Sequence, residues 1–140
     1  MFGWWRRLRA MLKGDNVSAV RARELFEANR ASLERAFFET ASTSGKPRGL
    51  RWLALEWEPG LSLAREKGTG RLSGLVGVNI SFEAVEGGDM EDVSAVGLLR
   101  NASAVFFLHR GVWHTTGKVI MNLDPDAAIR HFGGQYESVG

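Results

Sequence analysis

The sequence predicts an α+β protein: a two-layer, five-stranded antiparallel sheet packed by a long N-terminal helix, with a short C-terminal helix. Three observations predict it. The first third of the chain carries apolar residues at helical spacing, the period switches to alternation after Pro47, and an aspartate–proline pair opens a last helix at Asp124. Helices grouped before and after a run of strands give segregated layers, not a βαβ alternation.

The opening stretch, "FGWWRRLRAMLKG", has Trp4, Trp5, Leu8, Met11 and Leu12 at positions that gather on one side of a helix, with Arg6, Arg9 and Lys13 largely on the other. Gly14 ends it, so residues 1–14 read as a basic amphipathic tip and residues 15–140 as a single α+β domain. Asp15 and Asn16 offer N-caps for a second, longer helix from about Val17 to Ala41, with a stripe of Ala22, Phe26, Leu33 and Phe37. Strands are then expected over Leu50–Glu58, Leu61–Lys67, Leu72–Val85, Ala102–His109 and Val112–Leu123. In the first, Leu53, Leu55 and Trp57 are assigned to one face and Leu50, Trp52 and Ala54 to the other. In the third, Val76, Val78, Ile80 and Phe82 face a dry layer, opposite Asn79, Ser81 and Glu83. Glu91–Arg100 reads equally as a short helix or an irregular crossover. Arg110-Gly111 is a two-residue turn that sets Leu108 against Trp113. The last helix runs from Pro125 to about Phe132, where Gly133-Gly134 stops it.

Composition narrows the function. With 140 residues, one domain can bury a core unaided. There is no cysteine, which removes disulfides, thiolate metal sites and thiol nucleophiles. No apolar run approaches the ~20 residues that cross a bilayer, and the N-terminus lacks the apolar stretch of a signal peptide, so a cytoplasmic location is expected. The net charge of +2 is unevenly placed: Arg6, Arg7, Arg9 and Lys13 are set above a remainder with 14 basic and 16 acidic residues. That is a small footprint for nucleic acid, which is disfavoured as a partner.

Several constellations invite chemistry. The hairpin register places His109 and His114 diagonally on the non-core face, within roughly 7 Å, but without an evident third metal ligand. His131 suits the end of the last helix. Glu86, Asp89, Glu91 and Asp92 lack the alternating spacing of a calcium loop, and Glu56 and Glu58 mark where one strand face reaches water. Lys46, Arg48 and Arg51 in "GKPRGLRW" are candidate anion contacts, although a helix precedes them and a strand follows, the reverse of a phosphate loop. No nucleophile elbow, dinucleotide fingerprint or kinase signature occurs, and no cofactor or metal is expected. Together "GKPRGLRW", "ISFEAVEGGDMEDV" and "NLDPDAAIRHF" resemble a family of small bacterial proteins to which no activity is attached. The resemblance runs nearly full length from the long helix onward. It implies a bacterial single-domain protein and carries over no functional residue.

Two functions follow. The first is a non-catalytic binding or adaptor module that meets a protein partner or a second copy of itself. It would be peripheral to the inner membrane through Trp4, Trp5, Arg6, Arg7, Leu8, Arg9, Leu12 and Lys13, since tryptophan favours the headgroup level and each basic residue adds about 1 kcal/mol at an anionic leaflet. The same tip could instead cover Trp52 on the second sheet face. The alternative function is a small-molecule-binding protein or enzyme, with a cavity between long helix and curved sheet drawing on Trp52, Asn79, Phe107, His109 and His114. The binding module is the preferred expectation.

Overall fold

A computed structural model describes residues 17–44, 48–87 and 99–140. The tip and the Glu91–Asp92 region of the acidic loop lie outside them. The described residues form an α+β fold with one seven-stranded antiparallel sheet and three helices.

The helical half begins at Ser18, whose hydroxyl accepts from the Arg21 N–H at 3.1 Å, so Ser18 caps α1, Ala19–Ala28. Asp15 and Asn16, expected as caps, are outside the described residues. The expected single helix is two, because α2, Arg30–Ser42, starts after a break at Asn29. Asn29 turns its side-chain amide back onto the Leu25 carbonyl at 2.9 Å and sends its own N–H to the Phe26 carbonyl. An asparagine that bonds the preceding turn in this way competes with continuous helix. The stripe survives the break: Ala22, Phe26, Leu33, Phe37 and Ala41 are buried along one side of both helices.

Seven strands replace the expected five. They are β1 Leu50–Trp57, β2 Ser62–Glu66, β3 Leu72–Ala84, β4 Arg100–His109, β5 Val112–His114, β6 Val119–Met121 and β7 Tyr136–Val139. The long β3 is central: β4 lies along one side of it, while β2 and β1 share the other side end to end. The strand expected over Val112–Leu123 is broken because the register against β4 slips. Phe107 is opposite His114 and Ala104 opposite Val119, so two residues are looped out between. The Thr115 hydroxyl fills the gap, donating to the Val105 carbonyl and accepting from the Gly117 N–H. The hairpin itself forms as expected, with Leu108 opposite Trp113. β7 pairs with β2 and was not anticipated.

The core on the helix side joins Phe26 and Phe37 to Val76, Val78, Ile80, Phe82, Phe106 and Trp113. Its rings meet edge to face: Phe26 is 5.1 Å from Phe106 and 5.4 Å from Trp113, and the Trp113 indole N–H donates to the Ala22 carbonyl. The layering differs from expectation in one respect. The C-terminal helix α3, Pro125–His131, lies on the opposite sheet face. There Ala128 and Ile129 pack with Ala64, Leu75, Val105 and Tyr136 in a second cluster. Asp124 caps α3 by accepting from the Ala127 N–H at 2.8 Å, and Pro125 occupies its first turn.

The faces of β1 also need correction. The register against β3 shifts between Trp52 and Ala54, since Trp52 pairs with Phe82 and Ala54 with Ser81. Leu53 is the extra residue of a β-bulge, and an extra residue reverses the alternation beyond it. Trp52, Leu55 and Trp57 therefore all belong to the helix-side core, while Leu53 is 56% exposed. Trp52 is covered by Phe37 and Phe82, at ring distances of 6.1 and 5.4 Å. It does not wait on the second face for the tip.

Candidate functional site: a groove beside an edge strand

β1 forms where bulky aliphatic and aromatic residues alternate with polar ones, and its helix-side residues are held by Phe37, which touches both Trp52 and Trp57. Among the described residues β1, eight residues long, pairs with β3 alone. β5, β6 and β7 are edges of three or four residues. Beside β1, α2 leaves a groove of about 500 Å³ lined by Ala31, Glu34, Arg35, Phe38 and Glu39 from the helix and by Leu53–Trp57 from the strand. Phe38, Leu53, Leu55 and Trp57 give it apolar lining, and Glu34, Arg35 and Glu39 give it charge of both signs. Arg30 fixes the wall's near end. Its guanidinium donates to the Glu58 and Gly60 carbonyls of the turn after β1 and also meets Glu27 and Glu34.

A groove beside a strand is the kind of surface on which other proteins take extended polypeptides. The bulge at Leu53 and the charged Arg51 and Glu56 limit indiscriminate pairing, as natural edges do. Arg51 is also an answered charge, bridged to Glu83 across the strands at 2.8 Å.

Of the residues expected to line a small-molecule cavity, Phe107, His109 and His114 are brought together, while Trp52 and Asn79 stand apart from them. Trp52 is on the helix side, whereas Asn79, Phe107 and His114 lie on the other face. Asn79 donates to a Glu58 carboxylate oxygen at 3.4 Å. Phe107 and His114 stack at 5.4 Å, and Arg71 lies 4.2 Å over the Phe107 ring. His109 and His114 are neighbours, 6.3 Å between ring centroids. Among the described residues no group of three metal-ligating side chains gathers around them. The space between helices and sheet is filled by Phe26, Phe37 and Phe106, all fully buried. A second cleft, of about 460 Å³, holds Glu58, Asp124 and Asp126, but each carboxylate has a structural partner: Asn79, the α3 N-terminus and the Ser62 hydroxyl. Of the candidate anion contacts, Arg48 and Arg51 are exposed, and Lys46 lies outside the described residues. So does every expected contact residue from Trp4 to Lys13.

The groove was missed in the sequence because the bulge hid it. Its signal was present in "LRWLALEW", where strict alternation sends Trp52 and Trp57 to opposite faces and leaves neither face polar. Compared with family models, with curated proteins and with solved structures, the chain matches none.

Proposed function

We propose that this chain is a non-catalytic binding module that takes a polypeptide partner in the groove between α2 and β1, with the basic tip holding it at an anionic membrane surface. One observation carries the reading: a groove of mixed apolar and charged lining runs between α2 and the eight-residue β1, and its Leu53 is left 56% exposed. In such a groove the pockets for side chains give selectivity. An enclosed small-molecule site is the less favoured reading, because Trp52 lies on the opposite sheet face from Asn79, Phe107 and His114.

The test places a benzophenone amino acid at position 53 and, as a control, at the exposed helix position 20. Irradiation of cells expressing each form is followed by mass measurement of the adducts. The reading expects polypeptide adducts at position 53 that position 20 does not give. Equal yields at the two positions, or none at 53, overturn it.

A further inference from the structure

We infer that the end of the β4–β5 hairpin is a second contact with the anionic membrane surface, and that this contact tightens as pH falls. The inference rests on the reading of the basic tip as a membrane contact and adds a site on the folded body. A short amphipathic helix holds a membrane only reversibly, and firm attachment takes a second element.

The hairpin end has the composition for it. Its two-residue turn, Arg110-Gly111, has positive φ at both positions, +52° and +74°, and His109 is opposite Val112 at its base. That is the geometry of a type I′ turn, which favours asparagine, aspartate or glycine at the first position. Among the described residues, Arg110 and Asn122 are the non-glycine residues with positive φ; asparagine is common there, whereas arginine is not. A side chain kept at a costly backbone conformation points to a use beyond folding. Arg110 is exposed and makes no ion pair among the described residues. Beside the turn, Val112 is 56% exposed, so an aliphatic side chain stands at the hairpin end among cations.

The charge at this end of the sheet is nearly of one sign. His109 is opposite Val112 and Phe107 opposite His114, so these four share a sheet face. The His109 and His114 rings are 6.3 Å apart, and Arg71 of β3 lies 4.2 Å over the Phe107 ring. The acid that reaches the cluster is Glu66 of β2, 3.6 Å from the Arg71 guanidinium. On the other face of β5, α1 packs through Ala22 and Phe26, and its Arg21 and Glu24 bind each other. Two arginines and two histidines thus stand against one acid around exposed apolar surface, the pattern that anionic headgroups attract.

Placement supports the same partner. The Trp113 indole N–H donates to the Ala22 carbonyl at 3.0 Å, and the Ala22 N–H donates to the Ser18 carbonyl at 2.8 Å. Trp113 lies between Val112 and His114 in β5, so the chain passes from the tip into the body one helical turn from this strand. Tip and hairpin end can therefore meet one surface together.

Co-sedimentation of the full chain with vesicles of mixed phosphatidylglycerol and phosphatidylcholine tests this. Residues 1–14 contain no histidine, so a pH response in the range where imidazoles gain protons reports the body. Wild-type binding should tighten about tenfold between pH about 7.5 and about 5.5. The double variant His109→Gln/His114→Gln should lose that tightening, whereas His131→Gln, on α3, should keep it. Arg110→Asn should weaken binding about fivefold at either pH. It should fold at least as well as the wild type, because asparagine suits the turn. Tightening that survives the double variant, or binding unmoved by Arg110→Asn, overturns the inference and leaves the tip as the membrane contact. A wild type that binds these vesicles no better than pure phosphatidylcholine overturns the inference and the reading of the tip together.

Discussion

Gly117 shows how one residue can hold two elements together. Its φ is +81°, in the left-handed region, and a Cβ built there would stand 2.8 Å from the Ala41 backbone nitrogen at the end of α2. The loop between β5 and β6 therefore approaches the helix backbone as closely as hydrogen alone permits. Gly87 has a similar φ of +75° but open space around its Cβ position. Gly87→Ala should cost about 1–2 kcal/mol for the left-handed conformation alone. Gly117→Ala should cost clearly more, because α2 or the loop must also move. Urea unfolding of both variants checks this, and equal costs would show that the approach to α2 carries no weight. The sequence reading passed over Gly117, placing it inside a single strand over Val112–Leu123. The residues of the helix-side core were legible, because Val76, Val78, Ile80 and Phe82 alternate without interruption and leave one register open.

At the scale of elements, legibility followed how local the determining interaction is. Asp124-Pro125 announced α3 correctly because capping is settled within four residues. Asp124→Ala should cost about 0.5–2 kcal/mol, while Asp124→Asn, which keeps a side-chain acceptor for the Ala127 N–H, should cost much less. Thermal unfolding of the two variants distinguishes a cap from a mere surface charge, for which they would behave alike. The break at Asn29, the bulge at Leu53 and the slip between β5 and β6 were not legible. Each depends on a residue leaving a regular pattern to satisfy a partner fixed by tertiary packing. β7 was hidden for another reason: four residues after a glycine pair are too few to show a period. The candidate site inherits these limits, because its edge and groove follow from the bulge. Of the expected site residues, a regular β1 put Trp52 on the second sheet face, and the bulge puts it on the helix side instead.

At the scale of the molecule, Trp52 lies on the helix side beside Phe37 and Phe82, not on the second sheet face where the tip was expected to cover it. Part of the opposite sheet face is occupied by α3. If the tip serves as a membrane contact, the full-length chain should co-sediment with vesicles rich in anionic phospholipid. Binding should weaken as salt rises, since charge attraction is screened over about 10 Å at 0.1 M. Removing residues 1–14 should abolish co-sedimentation and leave the melting temperature unmoved. A fall of several degrees, or binding that survives the truncation, would return the tip to the domain.

The pairing of β2 with β7 has a consequence for how fast the fold is reached. Glu66 is opposite Tyr136, so the ladder joins positions on either side of both β3 and β4. The second cluster needs Ala64 and Leu75 as well as Ala128, Ile129 and Tyr136. It has no local nucleus, and the entropy of closing that long loop must be overcome before α3 has a surface to rest on. The α1–α2 layer and the hairpin of β4 and β5 can form early from near neighbours, whereas the α3 side must come late. Refolding should therefore occur on the millisecond-to-second scale of non-local sheets and not the microsecond scale of helical bundles.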